Sequence, residues 1–277
     1  MRASGTATRC LLRSIAIGAI AAAAACKPVE SPQATDAPAA GQTTPESRAT
    51  PRFPDGVVRL DRVPGEKGYW APTSSPSLIE KGVDVAMDEH GLLANIDDAA
   101  KVAPFMPWSL ALYTYRQRNG LKDDPVQYCL PPAGPRHLQA PGGFRIVQDR
   151  NFKRVYVLFG GGNRNWRVIF LDGRKPPDPD EVFGTYYGHS IGTWEGDTLV
   201  VKSTGFNERF WFSNGGLPHT AALSLTERFS RPDFDTLVYE VTIDDPYTYT
   251  RPWTSEWTMK WVRDGEIAEH FCEDNRP

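Results

Sequence analysis

The chain has 277 residues, with 31 Lys+Arg against 34 Asp+Glu, 40% hydrophobic residues and 11% aromatic residues. A formal charge of −3 without a basic cluster argues against nucleic acid or an anionic membrane surface as partner. The length suits one large domain or two small ones, and the apolar content is ample for a packed core.

The first element is an export signal. Arg2, Arg9 and Arg13 precede an apolar run from Ile15 to Ala25, which ends at Cys26. Basic residues retain the start of the chain at the inner membrane face while the run enters the export channel. That run is shorter than the about 20 residues a membrane-spanning helix needs. Ala23-Ala24-Ala25-Cys26 resembles the bacterial lipobox, which implies signal removal after residue 25 and acylation of Cys26. With Lys27 rather than Asp next, the resemblance implies an outer-membrane lipoprotein facing the periplasm, with the acyl group as its membrane anchor. An ordinary signal cleaved after an A-x-A site is the alternative.

Residues 26–52 are rich in Ala, Pro, Thr, Ser and Gln and lack hydrophobic periodicity, which predicts a disordered tether. A single β-rich domain is expected over 53–277. Its first half is irregular, with one helix from Pro107 to Arg118 whose Trp108, Ala111, Leu112 and Tyr115 share a face. From Phe144 onward the pattern alternates. Val155, Val157 and Phe159 share a face, as do Trp166, Val168 and Phe170, and as do Leu237, Tyr239, Val241 and Ile243. Glycine and Asp/Asn clusters separate these runs, so the chain reads as an antiparallel meander of six to nine strands. A mainly β fold with a closed barrel is expected, with a β-sandwich as the alternative.

Two features favour the barrel. Gly68-Tyr69-Trp70 resembles the G-x-W element of lipocalins and related calycins. Trp253, Trp257 and Trp261 fall on one face of a strand whose other face is rich in Thr, and they are candidates to line a ligand cup together with Trp194, Gln148 and Arg174. Cys129 and Cys272 are expected to form a disulfide, since two cysteines in an oxidising compartment usually pair. In the chain-entropy account, closing so long a loop is worth about 4 to 5 kcal/mol.

The densest motif is Gly188–Asn207, GHSIGTWEGDTLVVKSTGFN. With Leu171-Asp172-Gly173-Arg174, Leu217-Pro218-His219-Thr220, Thr226-Glu227-Arg228-Phe229, Asp244-Asp245-Pro246 and Phe271-Cys272, it resembles a family of uncharacterised secreted bacterial proteins. That resemblance covers roughly residue 128 to the C-terminus and implies no known activity. A hairpin loop at Glu195-Gly196 would set Trp194 against Asp197, Ile191 opposite Val200, and His189 opposite Lys202. The resemblance implies an acid where Lys202 stands, and this departure puts a His–acid dyad in doubt for this chain.

Glu227 is in register with Leu223, Leu225 and Phe229, which puts a carboxylate on an apolar strand face. Such a group must be neutral, paired or hydrogen-bonded. Paired, it would meet an arginine such as Arg174 or Arg145. Neutral, it could act as a general acid with His189 or His219 as its partner. His189, His219 and His270 fit no compact ligand spacing, so no metal is expected, and no cofactor motif is present. The functional expectation is a monomeric barrel binding a small apolar, aromatic or glycan ligand. The alternative is a lyase, isomerase or hydrolase built on Glu227 with His189 or His219 in the same cavity.

Overall fold

A computed structural model describes residues 48–73, 78–162, 165–178 and 183–272. The signal, Cys26 and the tether as far as residue 47 lie outside the described residues. Nine strands close into one barrel in chain order: β1 (Gly68–Pro72), β2 (Phe144–Asp149), β3 (Arg154–Phe159), β4 (Trp166–Phe170), β5 (His189–Glu195), β6 (Thr198–Thr204), β7 (Ser224–Ser230), β8 (Thr236–Asp244) and β9 (Trp253–Arg263). β9 pairs back onto β1, with Trp261 opposite Trp70. The mainly β closed barrel is the architecture expected, and the sandwich is not formed.

The meander is antiparallel except at one place. β4 and β5 run parallel, through Ile169↔Ser190 and Phe170↔Ile191. An odd ring of strands in chain order cannot alternate direction all the way round, so one parallel pair is a geometric necessity. β4 therefore ends at one end of the barrel and β5 begins at the other.

Alternation sets which side chains enter the lumen. Val155, Val157 and Phe159 of β3 are buried, as are Leu237, Tyr239, Val241 and Ile243 of β8. For β4 the expected face is inverted. Arg167 and Ile169 point inward, while Trp166 is 59% exposed. The β5–β6 hairpin also differs from expectation: its loop is Gly196-Asp197, so Trp194 faces Leu199, Ile191 faces Lys202, and His189 faces Thr204. Gly196 takes the positive φ (+58°) that a two-residue hairpin loop demands at its first position. Each partner moves by two residues, which leaves every side chain on its original face.

Both ends of the barrel are closed. At one end, residues 48–67 form a strap, so ordered contacts begin ahead of the expected start at Phe53. Val58 and Leu60 are buried in it. Trp70 Nε1 donates to the Leu60 carbonyl at 2.9 Å, and Arg231 donates to the carbonyls of Arg59 (2.6 Å) and Asp61 (2.9 Å). At the other end the long β1–β2 excursion packs on the β6–β7 and β8–β9 loops. It contains α1 (Pro107–Arg118) and three short 3₁₀ turns at Ile96–Lys101, Pro125–Tyr128 and Gly134–Gln139.

α1 inverts the sequence expectation. Its buried residues are Ser109, Tyr113 and Gln117, whereas Trp108 and Tyr115 of the expected core face are exposed. Hydrogen bonding decides the orientation. Ser109 donates to the Thr248 carbonyl at 2.6 Å, and Gln117 Nε2 bridges the carbonyls of Gly91 (2.9 Å) and Gly215 (2.8 Å), satisfying loop backbone that no strand partners. Cys129 and Cys272 form the expected disulfide, with a Cα–Cα distance of 5.5 Å.

Candidate functional site

Glu227 is on the inner face of β7, as expected, and is fully buried. Its partner is Arg167 of β4 rather than Arg174 or Arg145. Arg167 Nη1 donates to Glu227 Oε1 at 2.8 Å, and Nη2 also bonds Oε2. Tyr239 donates to Oε1 at 2.8 Å, while Arg167 donates to Ser190 (2.9 Å) and Ser203 (2.7 Å). Burial opposes charge on the guanidinium, but the carboxylate outweighs it and leaves the Arg167 pKa above its ordinary value. Burial also drives the Tyr239 hydroxyl well above the usual tyrosine range. Every polar atom of the pair therefore has a partner, and the carboxylate is unavailable as a free general acid.

The histidines do not join it. Ser190 points into the lumen, so its neighbour His189 points out of the barrel, and the wall separates His189 from Glu227. Its Nε2 is buried without a partner among the described residues. A cleft of about 180 Å³ beside it is lined by Phe170, Arg174, Lys175 and Pro177. His219 lies in the β6–β7 loop, with Nδ1 3.1 Å from the Thr220 carbonyl and Nε2 3.0 Å from the Phe210 carbonyl. Burial lowers its pKa, and the two carbonyls oppose that shift. Glu227, His189 and His219 therefore converge on no common point.

The candidate ligand-binding residues are mostly used in packing. Trp253 and Trp261 are buried on the lumen face, against Tyr249 (ring centroids 5.4 Å apart) and Trp70 (5.0 Å). Trp257 is half-buried, 4.5 Å from the Tyr239 ring. Gly68 of the G-x-W element makes the β1–β9 approach possible, since a Cβ there would lie 2.4 Å from the Trp261 ring. Gln148 pins the strap: Oε1 accepts from the Leu60 amide at 2.6 Å and Nε2 donates to the Val58 carbonyl at 3.1 Å. Trp194 is half-buried against the core and borders a small cleft that Val57 and Gln148 also line. Arg174 is exposed, paired with Asp172 at 2.6 Å and stacked on Phe170. The tryptophans face inward as expected, but they meet packed side chains in a barrel capped at both ends, in place of an open cup.

Open space lies instead at the end capped by the β1–β2 excursion. A cleft of about 390 Å³ is walled by Val126, Pro132, Pro141, Gly161 and Ala268, with Arg136 in its floor. A neighbouring cleft of about 480 Å³ also borders Arg136, Pro141 and Asn214. Arg136 is held by Asp124 in two hydrogen bonds (2.8 and 2.5 Å) and by Asn214 Oδ1 at 2.7 Å. The disulfide fastens residues 268–270 as one wall.

His137 fixes the glycine floor from behind. The Gly161 carbonyl can only accept, so Nε2 carries the proton and donates at 2.8 Å, and Nδ1 accepts from the Tyr187 hydroxyl at 2.6 Å. The ring stacks on Phe159 at 3.7 Å, and burial lowers its pKa to about 4, so it is neutral at pH 7. Sequence reading missed Arg167, Arg136 and His137. Arg167 had a signal, since a phase that turns Ile169 inward also turns an arginine toward the inward carboxylate; His137 sits in a Pro- and Gly-rich stretch without periodicity.

Comparison of the chain with protein-family models, curated proteins and solved structures finds no match.

Proposed function

We propose that this chain is a small-molecule-binding protein of the bacterial envelope, tethered through acylated Cys26 to the outer membrane and facing the periplasm. Its ligand, mainly apolar in character, occupies the capped-end groove rather than the barrel lumen. The observation that carries this reading is the contrast in space. The lumen side chains are buried against one another and the Arg167–Glu227 charges are matched, whereas the groove offers about 390 Å³ between prolines, glycine backbone and the segment anchored by the disulfide. Such concave, largely apolar space with few polar groups is the usual form of a ligand site. The disulfide suits an oxidising compartment and so agrees with the export signal.

The test is native mass spectrometry of the full chain purified from periplasm or membrane, beside the Ala268→Trp variant. Ala268 is an exposed residue of the groove wall, so an indole there fills the groove without disturbing the core. The reading expects a co-purifying molecule on the wild type and its absence from the variant. Equal occupancy in both would place the ligand elsewhere.

A further inference from the structure

The strap end carries a cleft of a different chemistry. It encloses about 410 Å³ between the strap and the outer face of β2 and β3, with Arg59, Arg62 and Arg145 around it and Pro64, Val147 and Leu158 as apolar wall. The arginines are not equivalent. Arg59 is tied to Asp61 at 3.2 Å and lies over the Phe53 ring, 3.9 Å from its centroid. Arg145 donates to the Gly68 carbonyl at 3.0 Å and pairs with Glu266. Arg62 is exposed on the strap and borders the cleft, and its side chain has no hydrogen-bond or ion-pair partner among the described residues.

The charges facing the cleft are thus Arg59, Arg62 and Arg145 against Asp61 and Glu266, which leaves it electropositive around one uncommitted guanidinium. A guanidinium presents a planar fork that matches the two oxygens of a carboxylate or phosphate. Trp261 also borders the cleft, but its unpartnered indole N–H is buried against Gly68 and takes no part.

We propose that this cleft is a second binding site, for a small amphiphile with an anionic oxygen headgroup. Arg62 grips the head, Arg59 and Arg145 supply the surrounding field, and Val147 and Leu158 receive a short apolar tail. Because the site belongs to the strap, its occupancy also fastens residues 58–64 to the barrel.

Isothermal titration with decanoate, decyl phosphate and decyltrimethylammonium, each below its micelle concentration, tests this on the full chain. Wild type binds at least one of the two anions, and the tighter of them identifies the headgroup. Arg62→Glu weakens that binding at least about tenfold. Its thermal midpoint stays unchanged, because the replaced side chain had no partner. Ala268→Trp binds as wild type does, which separates this site from the capped-end groove. Binding of neither anion, equal binding of the cation, or undiminished affinity in Arg62→Glu would overturn the proposal.

Discussion

The lumen and the capped-end groove each contain a buried arginine clasped by a carboxylate, and the two pairs sit in opposite surroundings. Arg167–Glu227 has side-chain exposures of 5% and 0% and is ringed by Ser190, Ser203 and Tyr239. Arg136–Asp124 is almost as buried, at 8% and 10%, yet it borders clefts on both sides. The first pair ties β4 to β7 across the interior. The second stiffens the floor of a groove. A buried charge alone therefore does not identify a site; adjoining space that the protein leaves unfilled is what distinguishes the two.

Breaking each pair sharpens the contrast. Glu227→Ala strands the Arg167 charge in a sealed interior and should cost about 3 to 5 kcal/mol in urea denaturation. The double replacement Arg167→Met with Glu227→Leu should recover most of that loss, since apolar side chains of similar volume can substitute for a buried pair. Asp124→Asn should cost less, because water entering from the clefts can solvate Arg136. Equal losses for Glu227→Ala and Asp124→Asn would erase the distinction drawn between the regions.

The disulfide should rank next. Cys272→Ser releases the groove wall and should lower stability by about 2 to 5 kcal/mol. Amide exchange should rise in 264–272 and around Cys129 while the barrel strands stay protected. A uniform rise through the strands would assign the bond to the barrel instead.

His137 gives a smaller effect with a defined pH window. Its folded pKa of about 4 lies below the ordinary histidine value of 6.5. The neutral form is favoured on folding, so its contribution is complete above pH 6.5 and is lost as pH falls towards 4. The loss is on the order of 3 kcal/mol when complete. Unfolding midpoints measured from pH 7 to pH 4 should fall in wild type and fall less steeply in His137→Gln. Parallel curves would show that another group titrates.

Much of the barrel was legible from alternation. β3, β7, β8 and β9 point as their patterns require, and Glu227 appears on an inner face because its apolar neighbours mark that face. β4 misled because Trp166, Val168 and Phe170 outweigh Arg167 and Ile169 in apolar area, although the lumen needed the arginine to neutralise Glu227. α1 misled for a related reason: loop carbonyls at the cap required donors from Ser109 and Gln117, and this need turned its aromatic face outward. The groove was beyond periodicity altogether. It is assembled from Pro- and Gly-rich backbone of the β1–β2 excursion, the β3–β4 loop and residues 268–270, which only the closed fold and the disulfide bring together.

The central claim is that binding belongs to the capped-end groove and that the lumen is structural. Titration with Nile red, a neutral apolar dye, tests it in two variants side by side. Ala268→Trp should lose at least about tenfold in dye affinity, while Arg167→Met with Glu227→Leu should bind as wild type does. Retained binding in the first variant with loss in the second would contradict the account and return the ligand to the barrel lumen.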